Sequence, residues 1–496
     1  MAELAPKGNR SPDLRQIIAK NVVVVTAGNT ALKAANFLFN VYVIRRLGDH
    51  RFGQYSIVLA FVGLFQIFAE LGISQYVMRE IARDRSKTPV LFWNLVALRF
   101  LLAIAGVIGI TLAASTRYSP ELVLGIFIYT CGFLLSAFEA SLNIVIFANE
   151  RLDYATIIGI LGQVVSLMLG TLFMFLGLSY IWLIVAGLIS MLPQIWLGTR
   201  VIRKHNMVNL KFQVDPKVWP TLIRAGLPFG IISLALTIAF SIDTVMLSMF
   251  VRENEVGWYN VAYNLARALL FFFGGFATAI VPSLTRAYAN DAAEVERWYY
   301  RSVKLIMLSS LPIAVGGMMV AFPLIRFLYT NEFLPSALGL QILIWDVPLL
   351  MFTGFCGNMT TIVGEERAAA RIYTINALAN IILNLYAIPR YGMVGAALVT
   401  VITDLIGALQ FHFLLRRKLH LPNMVSVGTR VVLAATMMGV AVYAMGDLNF
   451  FIIIGLGAVV YSALVLALRL LDEKEWALIK RLAQKFTGSQ PTKEAA

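Results

Sequence analysis

Fourteen apolar runs, most of them about 20 residues long, divide this chain, and they decide its fold class. A ~30 Å hydrocarbon core is crossed by roughly 20 helical residues at 1.5 Å each. Inside such a core every backbone N–H and C=O must be paired within the protein, and an apolar run of that length meets the demand as a helix. A window of about 19 residues places spans near 17–43, 54–77, 91–114, 122–147, 154–178, 180–199, 221–250, 256–281, 303–325, 337–363, 372–389, 393–415, 428–446 and 449–468. The expected fold is all-α and integral to a membrane, with about 14 transmembrane helices. Composition agrees, since 14% of the 496 residues are charged against about a quarter in soluble chains. The first run is too long for a signal-peptide core and no small-residue cleavage site follows it, so no cleavable signal is expected. Cys131 and Cys356 fall inside spans and read as small buried hydrophobes.

A net charge of +14 raises the question of nucleic acid, but the charge is distributed as a topology signal. With a cytoplasmic N-terminus, the outer loops hold Arg45, Arg46, Arg51, Arg117, Arg252, Arg326 and Arg390, and Lys33, Arg99 and Arg267 lie well inside spans. The large majority of the 41 Lys and Arg are then on the inner side. That is the positive-inside pattern, and it puts both termini in the cytoplasm of a multi-pass protein of the cell membrane. Nucleic acid is not an expected partner; anionic membrane lipid is.

The chain reads as two halves. A cytoplasmic tail (1–16) precedes a six-helix lobe (17–205), a basic linker (206–220), a second six-helix lobe (221–418), helices thirteen and fourteen (419–470) and a cytoplasmic tail (471–496). Gly53-Gln54-Tyr55 at the second span is answered by Gly257-Trp258-Tyr259 at the eighth, and Asn149-Glu150-Arg151 before the fifth by Glu365-Glu366-Arg367 before the eleventh. Six spans per half make the repeats parallel, related about an axis normal to the membrane. Loops between spans are short on both faces. No Gly-x-x-x-x-Gly-Lys-Ser/Thr loop is present, and no outer loop is long enough for the catalytic apparatus of a membrane glycosyltransferase or polymerase. The expectation is a transporter rather than an enzyme, with no cofactor and no metal.

Eight charged residues sit well inside the spans: Lys33, Arg99, Arg267, Glu70, Glu139, Asp243, Asp346 and Asp404. Facing lipid they would cost on the order of 20–28 kcal/mol together, so they must be paired or line a water-filled space. Asn29, Lys33, Asn36 and Asn40 recur at helical spacing on one face of the first span; Asn260, Asn264 and Arg267, beside Tyr263, do so on the eighth. A cation flanked by amides suits a phosphate and its attached sugars, while amides alone also serve as helix-packing glue. For Glu70, Glu139, Asp243, Asp346 and Asp404 two readings stand: structural pairing, or carriage of a coupling ion, H⁺ or Na⁺. Arg99, near the start of the third span, is expected to snorkel toward the interface. Asn376, Asn380 and Asn384 form a one-face ladder read as packing.

Arg45-Arg46-Leu47-Gly48, Phe52-Gly53-Gln54-Tyr55, Glu70-Leu71-Gly72-Ile73 and Arg79-Glu80-Ile81-Ala82 resemble the N-terminal pattern of polysaccharide-biosynthesis flippases of the multidrug/oligosaccharidyl-lipid/polysaccharide exporter superfamily. Ser241-Ile242-Asp243, Gly257-Trp258-Tyr259, Pro282-Ser283-Leu284 and Tyr391-Gly392-Met393-Val394-Gly395-Ala396-Ala397 are similar to its later motifs. The resemblance implies two six-helix lobes around a central cavity, as in multidrug and toxic compound extrusion proteins. It also implies movement of a polyprenyl-diphosphate-linked oligosaccharide from the inner to the outer leaflet by alternating access. In related lipid II flippases cavity cations hold the diphosphate; Arg267 and Lys33 match in place and charge, Lys standing where Arg is more usual. The alternative is a cation-coupled multidrug extrusion antiporter, favoured by the acidic surplus.

Overall fold

The computed structural model describes the backbone of residues 14–208, 213–290, 292–419, 421, 423–445, 449–472 and 476. Side chains are described from residue 32 on, save 232, 235, 236, 239, 271–283, 286, 287, 289, 290, 292 and 293. Among these residues the secondary structure is helical throughout, without strands. The α-helices are α1 (Leu14–Glu70), α2 (Ile73–Arg83), α3 (Thr88–Ser115), α4 (Pro120–Ala148), α5 (Leu152–Phe175), α6 (Tyr180–Lys204), α7 (Trp219–Phe250), α8 (Glu253–Asn290), α9 (Ala292–Leu328), α10 (Ser336–Leu343), α11 (Asp346–Ile362), α12 (Glu366–Lys418), α13 (Val425–Ala444) and α14 (Phe450–Ala467). Ten described helical stretches are long and apolar enough to cross a membrane. Leu112, Met168, Ile382, Val440 and Val459 each stay more than 60% exposed, as lipid-facing side chains do. The chain is a multi-pass membrane protein.

Two of the ten stretches hold two spans each. α1 breaks at Gly48 (φ 73°, ψ 174°) and α12 at Gly392 (φ 54°, ψ −134°), dihedrals open to glycine and strained for any residue with a Cβ. The second span therefore runs from Asp49 to Glu70 and is shorter than the sequence suggests. It ends through Leu71 and Gly72, both at positive φ, a helix stop of the left-handed kind. The chain then enters α2, which buries Ile73, Val77 and Ile81 completely along one stripe while Arg79 and Glu80 lie off it. Such a helix suits a membrane surface rather than its interior. The tenth span is likewise broken: α10 stops at Leu343, and α11 begins at Asp346 after Ile344 and Trp345.

The chain forms two compact units. The first holds residues up to Leu47, Ser74–Val107 and Phe127–Leu222. Its helices approach closely where small residues permit: Gly170 of α5 receives the Phe39 ring, and Gly162 receives the side chain of Gln194 on α6. Asn94 on α3 is fully buried, and its Oδ1 accepts from the Asp215 backbone N–H and Trp219 Nε1, each at 3.0 Å. One amide thus fixes the segment that leads into α7.

The second unit holds Gly48–Ile73, Ile108–Ile126 and everything after Ile223. Gly53 and Gly257, the paired glycines of the sequence repeat, cross here. A Cβ on Gly53 would overlap the Glu253 carbonyl, and one on Gly257 the Asp49 carbonyl. Trp258 Nε1 donates to Asp49 Oδ2 at 3.1 Å beside the crossing. Glu255 Oε1 accepts from the Met393 N–H at 2.7 Å, satisfying a donor exposed by the Gly392 break. A core of Tyr299, Phe355, Cys356, Met359, Phe411 and Leu415 packs α9, α11 and α12, and α13 and α14 pack on α9.

Candidate functional site

The second unit contains a cavity of about 790 Å³. Its polar lining comes from three helices: Tyr263 and Arg267 on α8, Asp346 on α11, and Asn376, Asn380 and Asp404 on α12. The Arg267 guanidinium carbon lies 4.0 Å from the Phe240 ring centroid and 4.5 Å from that of Tyr263. Cation–π contact of this kind is worth ~2 kcal/mol or more once desolvated, which holds the charge inside the protein between aromatic faces. Among the described residues Arg267 Nε is buried without a partner. Asp346 and Asp404 line the same cavity as Arg267. Asp346 is 4% exposed, and its Oδ1 has no partner among the described residues.

Asp243 on α7 lies next to this cavity in a network of its own. Its Oδ2 accepts from Tyr259 at 2.9 Å and Thr400 at 2.8 Å, and its Oδ1 from Asn384 Nδ2 at 2.7 Å. Asn384 also donates to Asn380 Oδ1 at 3.0 Å, and Thr400 to the Ala396 carbonyl at 2.9 Å. Tyr259 stacks on Tyr263 at 5.7 Å between centroids, which joins the network to the Arg267 cage. Asn380 and Asn384 of the one-face ladder are thus bonded to each other, Asn376 and Asn380 both line the cavity, and the Oδ1 atoms of Asn376 and Asn384 are unpartnered among the described residues.

The remaining candidates are scattered. Asn260 donates to the Val256 carbonyl and accepts from Thr244, tying α8 to α7, and Asn264 is exposed. Neither lines the cavity, so the amide face expected beside Arg267 is not part of it. In the first unit Lys33 is exposed and Asn36 and Asn40 are half-buried; Asn36 Oδ1 accepts from Gln163 Nε2 at 2.7 Å. The Asn29 side chain lies outside the described residues. Glu70 closes α1 half-buried. Glu139 accepts from Asn143 and lies near Arg99, which is buried.

Tyr259, Thr400 and Gln163 escaped the sequence reading. Tyr and Thr are common in membrane helices, so their residue types carry no signal. Gln163, a lone amide in an apolar run, offered one.

The family model described as Polysaccharide biosynthesis protein matches residues 18–288, more than half of the chain, and the MatE model matches residues 228–386. The "Probable low-salt glycan biosynthesis flippase Agl15" of Haloferax volcanii is 24% identical over 35% of this chain and 37% of its own. The first curated relatives are matched over about a third to two fifths of their length. The "Putative O-antigen transporter" of Shigella flexneri is 20% identical over 76% of this chain and 92% of its own. A solved structure of the lipid II flippase MurJ in an inward closed conformation superposes with a TM-score of 0.75 at 17% identity, over 90% of this chain and 99% of that one; at that identity the likeness speaks for the fold. With this fold and more than half its length matched, the chain belongs to the polysaccharide biosynthesis protein family.

Proposed function

We propose that this protein is a flippase that carries a polyprenyl-diphosphate-linked oligosaccharide from the inner to the outer leaflet of the cell membrane by alternating access. Family membership supports the glycan class. The observation that carries the reading is Arg267: a cation held in a cavity by aromatic faces, with a buried N–H left without an acceptor among the described residues. Guanidinium N–H groups match phosphate oxygens in geometry and charge. Lys33, three residues before Asn36 on α1, whose Oδ1 accepts from Gln163 of α5, supplies a second cation in the first unit. The polyprenyl tail stays in lipid while the head group crosses. In this reading residues 17–205 and 221–418 are two six-helix lobes joined by 206–220. Both termini are cytoplasmic, no covalent chemistry is performed, and a coupling ion supplies the drive.

The multidrug antiporter is the second reading, favoured by the MatE match at 228–386 and by the carboxyl groups at the cavity. Transbilayer movement of a polyprenyl-diphospho-oligosaccharide in proteoliposomes separates the two. The flippase reading expects movement by the native protein and its loss or sharp slowing in Arg267→Ala and Lys33→Ala. A folded native protein that moves none of several glycan lipids, yet exports an organic cation against an H⁺ or Na⁺ gradient, would overturn it.

A further inference from the structure

Unmet polar atoms from three helices line one cavity, and together they describe a ligand. Among the described residues Arg267 of α8 keeps a buried Nε–H without an acceptor, while Asp346 of α11 and Asn376 of α12 each keep a buried Oδ1 without a donor. Asp346 is 4% exposed, so the cavity it lines is where its carboxyl finds a donor. The Asn376 amide fits through a close approach, since a Cβ on Gly407 of the same helix would meet its Nδ2. Tyr373, three residues before Asn376, also lines the cavity; its ring packs edge-on against Phe411 at 5.3 Å between centroids and is 37% exposed. A ligand that completes this set brings an acceptor for the guanidinium, O–H or N–H donors for two oxygens, and an apolar face for the ring. An organic cation sets a like charge beside Arg267, and a bare diphosphate brings no apolar face. A sugar joined to a diphosphate has all three features: phosphate oxygens, hydroxyl or acetamido hydrogens, and a C–H face. The volume of about 790 Å³ falls within the ~300–1,000 Å³ of sites that take one drug-sized molecule. It suits a diphosphate with its first sugar rather than a whole oligosaccharide.

We propose that Asp346 and Asn376 form a sugar subsite beside Arg267: while the guanidinium holds the diphosphate, their side-chain oxygens accept hydrogens from the first sugar attached to it, and Tyr373 lies against that sugar's C–H face. Water in a polar space is displaced without loss only by groups that reproduce its hydrogen bonds. A sugar whose hydroxyls miss these two oxygens therefore binds more weakly, and the pair selects among sugars. Asp243 takes no part, because both of its carboxylate oxygens already accept from protein donors. No covalent bond is made or broken. The subsite rests on the reading of Arg267 as the diphosphate contact, and the test separates the two.

The test is calorimetry on the full-length protein in lipid nanodiscs, with inorganic diphosphate and the 1-diphosphates of glucose, galactose and N-acetylglucosamine as soluble probes. The readout is the ratio of sugar-diphosphate to inorganic-diphosphate affinity, in which any change in the field at Arg267 cancels. Wild type is expected to bind at least one sugar diphosphate ~tenfold more tightly than inorganic diphosphate, and to rank the sugars. Asp346→Ala and Asn376→Ala should each lower that ratio by about three- to tenfold, the worth of one hydrogen bond. Asp346→Asn, which retains an acceptor oxygen, should recover part of it. Asn376→Ala should melt at the wild-type temperature, because no protein partner is lost with its Oδ1; that variant keeps the test decisive where Asp346→Ala fails to fold. A ratio near one for all three sugars, or a wild-type ratio kept in Asn376→Ala and in a folded Asp346 variant, overturns the subsite. A melting temperature lowered by more than about 4 °C in Asn376→Ala makes that amide a packing group and overturns its role. Inorganic diphosphate binding that Arg267→Gln abolishes, with a flat sugar ratio, removes the subsite alone. No diphosphate binding, or binding indifferent to Arg267→Gln, removes the Arg267 reading and the subsite with it.

Discussion

Asp243 offers the most quantitative test of how this fold tolerates a buried charge. Its carboxylate is 5% exposed and accepts three hydrogen bonds. Hydrogen bonds between neutral groups in membrane proteins average ~0.6 kcal/mol and reach ~1.7, while bonds to charged groups are worth ~1.5–3 kcal/mol. A naive count of three such bonds would exceed ~4.5 kcal/mol. The structure argues against that sum. If the carboxylate is removed, Asn384 retains Asn380 Oδ1 and Thr400 retains the Ala396 carbonyl, whereas Tyr259 keeps no acceptor nearer than Thr400 at 3.4 Å. Asp243→Ala therefore leaves one donor stranded and also relieves a buried charge, for a net loss of ~1–3 kcal/mol. Asn384→Leu does the opposite: it strips a donor from a charge that stays, and is expected to cost more, ~3–5 kcal/mol. Equilibrium unfolding in mixed micelles, followed by tryptophan fluorescence, measures both variants and the double variant Asp243→Ala/Asn384→Leu. The coupling energy of the cycle should be about 1.5 kcal/mol. Additivity within ~0.3 kcal/mol, or Asp243→Ala costing more than Asn384→Leu, refutes the reasoning.

Other regions give simpler expectations. Gly257→Ala should impair folding or slow transport sharply, because its Cβ would meet the Asp49 backbone, whereas Gly159→Ala, with open space at its Cβ and outside the cavity lining, should behave as wild type; thermal stability and the flipping assay read both. Asn94→Leu strands the Asp215 N–H and the Trp219 indole N–H, a loss of ~1–3 kcal/mol, seen as faster proteolysis between α6 and α7. In the loop after α2, the Ser86 hydroxyl and N–H donate to Asp84 at 2.6 and 3.1 Å and hold its carboxyl below the usual carboxylate range. The lowered folded value favours the folded state above the unfolded value of ~3.9, a contribution lost as pH falls through the folded value. Ser86→Ala should bring the Asp84 titration, followed by carboxyl NMR, back toward ~3.9.

The membrane fold was readable because its signal is a sum over about 20 residues per span, which single substitutions hardly change. Its breaks were not. Gly48 and Gly392 look like any other loop glycine until their dihedrals are known. Leu71-Gly72 ends the second span early because Gly226 and Gly230 of α7 leave room for it, a tertiary fact that no window contains. The same holds for the site. Arg267 could be singled out, since a charge in an apolar run always needs an explanation. What surrounds it could not, because Asp346, Asp404 and Phe240 reach it from other helices and share no spacing with it in sequence.

The intramembrane charges divide by how the protein accommodates them, and the division locates the site. Arg99 and Glu139 lie close in the first unit, with opposite signs. Asp243 is saturated by a tyrosine, a threonine and an amide. The Asp243 carboxylate thus meets the cost of burial with fixed protein groups, although Asn384 Oδ1 in the same network is buried without a partner among the described residues. Arg267, Asp346 and Asn376 differ: each lines one cavity, and each keeps a buried polar atom without a partner among the described residues. An unmet buried donor or acceptor costs ~1–3 kcal/mol, a standing destabilisation that ordinary packing would have removed. In the flippase reading proposed above, these three groups around one cavity are where a cargo that carries its own hydrogen-bonding groups and charge would be held.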